Sequence, residues 1–326
     1  MTMCAKRAFD AAKKNLPRVV ADGPLAPAIL ELAADRFVWL PWQVAVDGSR
    51  EPVDALYTYG HPHVDGAMLD RLPGVRVISN YGVGVDHIVL ADAAARDIPV
   101  GNTPGVLDGA TADLGFALLL AAARRIVEGD RYARSPEFTV YDPGYMLGRE
   151  VHSSTLGIVG LGRIGWQVAR RACAFDMRIL YSNRHRRPDA EAEFQATHVS
   201  FDELLAESDY VMLCCPLTPE TRHLIDASAL SKMKPTATLI NIARGAVVDT
   251  EALTKALEAG RIAAAALDVT EPEPLPRDHR LLRLSNVVIV PHLGSATWQT
   301  RQRMAEMSLE NLFAGLSGQP LPHRVV

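Results

Sequence analysis

Cysteine is scarce in this chain: Cys4, Cys173 and the adjacent Cys214 and Cys215 are all it has in 326 residues, with no Cys-x-x-Cys and no His/Cys cluster at metal-ligand spacing. That excludes a disulfide framework and a thiolate metal site, and it fits a reducing compartment, with the cytoplasm as the expected location. Cys214 and Cys215 sit in an apolar run and read as small core residues. Long apolar runs are missing too, since Leu114 to Ala123 falls short of the ~20 residues that span a membrane. Nor is there an excess of basic charge. The net charge of −4 and pI near 6.2 offer no general surface for nucleic acid, so an acidic partner must be met by a local site. Met1 to Arg18 is basic and poor in acids, but without an Arg-rich, Ser-rich amphipathic pattern it reads as a short extension rather than a targeting leader. The terminal His-Arg-Val-Val is not a peroxisomal signal.

What is present is an ordinary globular composition, 48% hydrophobic and 22% charged, at a length that suggests two domains. Val19-Val20, Ala55 to Tyr59 and Val75 to Ser79 read as strands, with a last short strand at Ile98-Pro99-Val100. Pro27 to Ala34, Val64 to Leu72 and Asp86 to Arg96 read as the helices between them, a βαβ series and hence a parallel sheet. A helix from Thr111 to Arg124 is apolar on nearly all sides, so it must be buried between two domains or against another subunit. Ser135 to Arg149, with Phe138, Tyr141 and Tyr145, reads as a loop. A second series adds strands at Leu156 to Val159, Arg178 to Ser182, Tyr210 to Cys214, Thr238 to Ile242, Ile262 to Leu267 and Val287 to Val290. Those runs are almost wholly apolar, as strands covered on both faces should be. One amphipathic helix, Trp298 to Leu316, closes the chain. The fold class is therefore α/β, with two doubly wound parallel sheets.

The second series opens on Gly160-Leu161-Gly162-Arg163-Ile164-Gly165, directly after an apolar strand and directly before a helical run. In a dinucleotide fingerprint the first glycine permits a tight turn, the second lets the backbone approach a pyrophosphate, and the third lets helix and strand pack closely. The helix N-terminus then faces the phosphate charge. About 20 residues on, where an acid would hold the ribose 2′-hydroxyl of NAD, the chain reads Ser182, Asn183, Arg184, His185, Arg186, Arg187. An arginine there, Arg184 with Arg186 or Arg187 beside it, suits a 2′-phosphate, so NADP(H) is the expected cofactor and NAD(H) the lesser one. A solvated basic loop is the plain alternative.

Ligands of doubly wound sheets sit beyond the carboxyl ends of strands, which here carry Pro216, Arg244, Asp268 and His292. Arg244 presents a planar charged fork suited to a carboxylate, unless it is spent on Asp249 or another acid. His292 is able to give a proton to a developing alkoxide, and a nearby carboxylate would stabilise its charged form, with Glu273 the candidate. A structural hydrogen bond is the other reading of His292. A carboxylate-binding arginine, a proton donor and a hydride carrier are together the parts needed to reduce a 2-keto acid.

At these residues the chain resembles the D-isomer-specific 2-hydroxyacid dehydrogenases, and within them the glyoxylate/hydroxypyruvate reductases and related 2-ketogluconate reductases. Leu156 to Gly165, Lys234 to Asp249, Ala263 to Leu282 and Pro291 to Thr297 carry the resemblance, with looser similarity from about Arg18 onward. The family implies a discontinuous architecture that chain order does not show: 1–102 with 296–326 as substrate domain, 103–295 as nucleotide domain, and an active site in a cleft that closes by hinge motion. It implies Arg244, Glu273 and His292 as the catalytic set, and Val83-Gly84 as a loop whose amides, with Ser295, meet the substrate. Pro216, Ile242, Ala243, Asp268 and Gly294 join the glycine loop around the cofactor, Asp268 near the nicotinamide. The expected reaction is NADPH-dependent reduction of glyoxylate or hydroxypyruvate, by a homodimer formed through the Thr111–Arg124 region. One departure stands out: where vertebrate members carry a Trp-bearing loop that reaches the neighbouring subunit's pocket, this chain has Phe138 and Tyr141. Rival readings are a reductase of 2-ketogluconate or another longer keto acid, D-3-phosphoglycerate dehydrogenase, and the NAD(H)-binding corepressors of the same fold. The last two are disfavoured by their NAD preference and by the extra C-terminal regions or tail expected of them.

Overall fold

The computed structural model describes residues 16–326, so the reading of the basic start of the chain falls, through residue 15, outside the described residues. The chain divides into two compact units, one running to Leu107 and resuming at Thr297–Val326, the other Asp108–Ala296. Among the described residues no helix is long and apolar enough to cross a membrane.

In the first unit, five parallel strands lie in the order β2-β1-β3-β4-β5. They are β1 (Arg18–Ala21), β2 (Val38–Pro41), β3 (Ala55–Thr58), β4 (Val77–Asn80) and β5 (Val100–Gly101). Every residue of β3 and β4 is buried, because both faces are covered. Val20, Leu56 and Ile78 pack with Val64, Leu69 and Leu72 into one core. The Trp298–Leu316 helix, found with the bounds its apolar stripe predicts, covers the sheet through Met304, Met307, Leu309 and Leu312. It is tied down by polar contacts: the Ser308 hydroxyl stands 2.8 Å from the Tyr57 hydroxyl, and the Ser308 carbonyl accepts from Ser79 Oγ at 2.6 Å. Beyond it the tail returns to the sheet, Val325 N donating to the Val100 carbonyl at 2.7 Å. The sequence reading missed β2 and the short Gln43–Asp47 helix after it. β2 is a four-residue edge strand whose Val38, Trp39 and Leu40 are apolar but which ends on a proline, a residue that argues against a strand when the sequence is read alone.

The second unit holds seven parallel strands in the order β12-β11-β10-β9-β6-β7-β8. They are β6 (Thr155–Val159), β7 (Arg178–Ser182), β8 (Thr197–His198), β9 (Tyr210–Leu213), β10 (Thr238–Asn241), β11 (Ala264–Leu267) and β12 (Val287–Ile289). The chain leaves β6 toward β7 on one side and later returns to β9 on the other, so the order reverses at β6. A crevice opens at such a reversal, beyond the carboxyl end of β6. The first helix, Asp108–Ala123, packs on the Arg163–Cys173 helix and on β10, β11 and β12. Thr111, Ala112, Gly115, Phe116, Leu118 and Leu119 are buried there, while Asp113 and Ala117 are exposed and Leu114 and Leu120 half-buried, so it is less enclosed than its composition suggests. The helix Ile126–Ala133 was not foreseen and buries none of its residues; the loop expected after it is present.

Candidate active site

The glycine loop sits at the reversal point. Gly160 has φ of 93°, and a Cβ on it would stand 2.6 Å from Cys215 N; one on Gly165 would stand 2.6 Å from the Gly160 carbonyl. Both glycines are thus fixed by close packing of loop, strand end and helix. At Gly162 a Cβ would meet nothing within 4 Å. Here the glycine is not needed by the protein's own packing, and the open space suits a group approaching from outside, as the pyrophosphate of a dinucleotide does. Gly162 caps the Arg163–Cys173 helix, and among the described residues no acceptor is found for the amides of Arg163 and Ile164. Those amides and the helix dipole favour an anion.

Beside the loop lies a cavity of about 590 Å³, lined by Gly160, Gly162, Asn183, Arg184, Pro216 and Thr218, among others. Its size is that of a small-molecule site. Asn183 positions the loop, its Oδ1 accepting from Leu161 N at 2.6 Å. The three arginines expected at the ribose separate. Arg186 is held by Glu191, whose carboxyl falls to about 2 under that guanidinium and the Tyr181 hydroxyl. Arg187 forks onto Asp189 and donates to the Leu161 carbonyl. Arg163 pairs with Asp108 at 2.9 Å. Arg184 lines the cavity with no carboxylate within ion-pair distance among the described residues, although Glu220 across the cavity feels its charge. Ser182 and Pro216 border the same cavity, and Thr221, which was not foreseen, donates to the Pro216 carbonyl at 2.7 Å. Cys214 and Cys215 stay thiols, both pushed up by burial, Cys215 to about 11.

Further along the same sheet end, β10 delivers Ile242, Ala243 and Arg244. Asn241 braces the turn, accepting from Ala243 N at 3.0 Å and donating to the Arg244 carbonyl at 2.9 Å. Gly245 is obligatory, since a Cβ there would stand 2.0 Å from the Thr270 carbonyl oxygen. Asp249, the acid set against Arg244 in the sequence reading, caps the Thr250–Glu258 helix by accepting from Glu251 N and Ala252 N. His292 follows β12 with a left-handed φ of 56°, and its Nδ1 is 2.8 Å from Glu273 Oε1.

Asp268 holds that turn in place. It is buried, and its two carboxylate oxygens accept from Leu293 N at 2.5 Å and Gly294 N at 2.9 Å, while its carbonyl accepts from His292 N at 2.9 Å. Burial raises its pKa against the opposing pull of the Leu293 amide and of His292. The structure therefore shows Asp268 gripping the His292–Ser295 turn, a contact the sequence did not reveal. Asp268→Ala strands two amides, and unsatisfied buried groups cost about 1–3 kcal/mol each. The variant is expected to lose about 2 kcal/mol of stability, measured by urea titration of the whole chain.

In the first unit, the carbonyls around Val83-Gly84 are all engaged. Asn80 Nδ2 donates to the Gly82 and Gly84 carbonyls, both at 2.9 Å, Asn102 Nδ2 to the Val83 carbonyl at 2.8 Å, and Thr103 N to Gly82 at 3.0 Å. No acceptor is found among the described residues for the amides of Val83 and Gly84. That is the polarity an anion-receiving turn requires. Phe138 and Tyr141 are both exposed, Phe138 against Tyr132 with ring centroids 5.4 Å apart. The described residues hold no group of three His, Cys, Asp or Glu set for a metal ion.

Comparison with known proteins identifies the family. A model of the family described as D-isomer specific 2-hydroxyacid dehydrogenase, NAD binding domain, matches residues 116–294. The chain is 48% identical over 287 residues to a glyoxylate reductase of Thermococcus gammatolerans, covering 87% of this chain and 85% of that one. Against a glyoxylate reductase of Aeropyrum pernix it is 46% identical over 321 residues, 95% of this chain and 96% of the other. The crystal structure of an NADPH-dependent glyoxylate/hydroxypyruvate reductase from Sinorhizobium meliloti, in complex with NADP and malonate, aligns at a TM-score of 0.86 and 31% identity, over 95% of this chain and 97% of that one. With a family model across more than half its length and relatives nearly half identical along most of both chains, this protein belongs to the D-isomer-specific 2-hydroxyacid dehydrogenases and is an NAD(P)-dependent oxidoreductase.

Proposed function

We propose that the chain reduces small 2-keto acids, glyoxylate to glycolate and hydroxypyruvate to D-glycerate, with NADPH preferred over NADH. The observation that carries this reading is the His292–Glu273 pair at 2.8 Å. With Nδ1 against the Glu273 carboxylate, the ring is held in orientation, and His292 is assigned the proton donor's part. Gly160 to Gly165 would hold a reduced nicotinamide dinucleotide, whose chemistry there would be to supply a hydride to the keto carbon. Arg244 grips the substrate carboxylate and draws charge toward the carbonyl oxygen, and the amides of Val83 and Gly84 are assigned to the same carboxylate. His292 delivers its proton to the oxygen as negative charge develops there. Asp268 keeps the turn carrying His292 and Ser295 from drifting. Pro216, Ile242, Ala243 and Gly294 border the cofactor in this reading.

Arg184 carries the preference for NADPH, since among the described residues its guanidinium is the one at the cavity not already held by a carboxylate. The names of the relatives support glyoxylate as substrate. A homodimer through the helix Asp108–Ala123 and the segment after it is part of the proposal, supported by exposed Ile126, Val127, Phe138, Tyr141 and Leu147. A cytoplasmic location fits the unpaired state of Cys173, Cys214 and Cys215.

The test is the loss of reduced-nicotinamide absorbance with NADPH, then NADH, against glyoxylate, hydroxypyruvate and 2-ketogluconate. Fast NADPH oxidation with the two small acids is expected. Preference for 2-ketogluconate would replace the substrate assignment, and no turnover with any pair would end the reading. In the same assay Arg184→Ala is expected to raise the KM for NADPH about tenfold or more and leave that for NADH nearly unchanged, as the loss of one charge-assisted hydrogen bond requires.

A further inference from the structure

Resting on that reading of the substrates, we propose that His61 recognises the group on C3 of the keto acid and favours a hydroxyl there. The residue stands in the first unit at the carboxyl end of β3, beside the turn assigned to the substrate carboxylate. Its Nε2 lies 3.8 Å from the point where a Cβ on Gly82 would stand. Gly82 is the residue just before the Val83 and Gly84 amides.

The backbone there is built to hold that position. Asp22, at the end of β1 and only 8% exposed, accepts from Tyr59 N at 2.5 Å and from Gly60 N at 2.6 Å. A Cβ on Gly60 would stand 2.9 Å from Asp22 Oδ2, so a glycine is needed at that approach. His61 follows with φ of 63°, a left-handed backbone that residues with a Cβ rarely adopt. The two strand-end turns are joined by Asn80, which accepts from Thr58 Oγ1 at 2.8 Å while its amide nitrogen holds Gly82 and Gly84. The His61 ring also meets His87 edge-on, centroids 5.0 Å apart and planes at 81°, and His87 is itself buried. The imidazole is therefore set against the substrate turn, although the side chain is exposed.

Chemistry then narrows its role. A keto acid offers a carboxylate, a carbonyl oxygen and whatever C3 carries. Arg244 with two amides is assigned the first and His292 the second; Ser295 is assigned to the substrate without a particular group, and His61, beside Gly82, is assigned the C3 substituent. A neutral imidazole has one nitrogen that donates and one that accepts, and so matches a hydroxyl, which does both. Hydroxypyruvate has that hydroxyl, pyruvate has hydrogen in its place, and glyoxylate has no C3.

The experiment compares kcat/KM for hydroxypyruvate, pyruvate and glyoxylate, with NADPH, in the wild-type chain and in His61→Gly and His61→Asn. Both substitutions suit a left-handed backbone, and the asparagine amide stops short of the Nε2 position. The hydroxypyruvate-to-pyruvate ratio is expected to fall about tenfold in each variant, the effect of one lost hydrogen bond. Recovery of most of the ratio in His61→Gln, whose amide has the reach, would support the assignment further. Should one variant fail to fold, the other still reports the ratio. An unchanged ratio overturns the inference, as does an equal loss on all three acids, which would put His61 at the carboxylate instead. A wild-type chain inactive on all three overturns the substrate reading and this inference with it, whereas normal wild-type turnover with an unmoved ratio removes this inference alone.

Discussion

His292→Ala is expected to lower kcat for glyoxylate and hydroxypyruvate by about 10²- to 10⁴-fold, the usual contribution of a positioned general acid, and to leave the Kd for NADPH within about twofold. The split follows from geometry. The ring lies on the turn after β12 with Nδ1 on Glu273, whereas the open glycine at 162 and the cavity at Arg184 lie at the end of β6. Removing the imidazole also leaves the Asp268 contacts to the Leu293 and Gly294 amides standing, so the turn should keep its shape. Stopped-flow turnover and NADPH fluorescence titration measure the two quantities separately. Retained turnover would mean another group donates the proton; lost NADPH binding would mean that His292 holds the cofactor rather than the reacting oxygen.

Arg244→Gln is expected to lower kcat/KM by about 10²- to 10³-fold, in line with the 2–5 kcal/mol or so that follows truncation of one partner in a hydrogen-bonded charge pair. Arg244→Lys should recover only part of that, because an ammonium is a point charge and cannot reproduce the planar fork. Asn241 braces the backbone of this turn through main-chain groups, so the substitution should leave the fold intact, with melting temperature as the control. Steady-state kinetics with each keto acid decides the matter. A loss confined to KM would indicate that Arg244 only binds the carboxylate, whereas a fall in kcat as well would show that it also stabilises charge at the reacting carbonyl.

Both of these residues could be picked out in the sequence because each follows an apolar strand at once, and such positions are few. The same holds for the glycine loop. Gly160 and Gly165 are dictated by contacts at 2.6 Å, and only a strand, turn and helix in that order places them so. Charge was harder to read. Arg184, Arg186 and Arg187 look alike in the sequence, yet Glu191 and Asp189 on the following helix hold two of them, and their pairing depends on how that helix turns back along the loop. Asp268 was legible as a strand-end acid but not as the clamp of the His292 turn, a pairing of residues 25 apart in the chain. Tyr59-Gly60-His61 matches no motif, and its interest arises only when Asp22 and Gly82 stand beside it.

The partition of the chain bears on how it is made. A ribosome delivers residues in order at about 5–20 per second, so the Asp108–Ala296 stretch takes about 10 to 40 seconds to synthesise. Through that time the five-stranded sheet lacks the helix Trp298–Leu316, whose Ser308 meets Tyr57 and Ser79, and lacks the tail that pairs with Val100. The middle of the polypeptide has all of its own strands while the beginning is still waiting for the end. The exposed apolar face of a half-built sheet is then in the cell for tens of seconds, and of the two units the one made first is the one completed last.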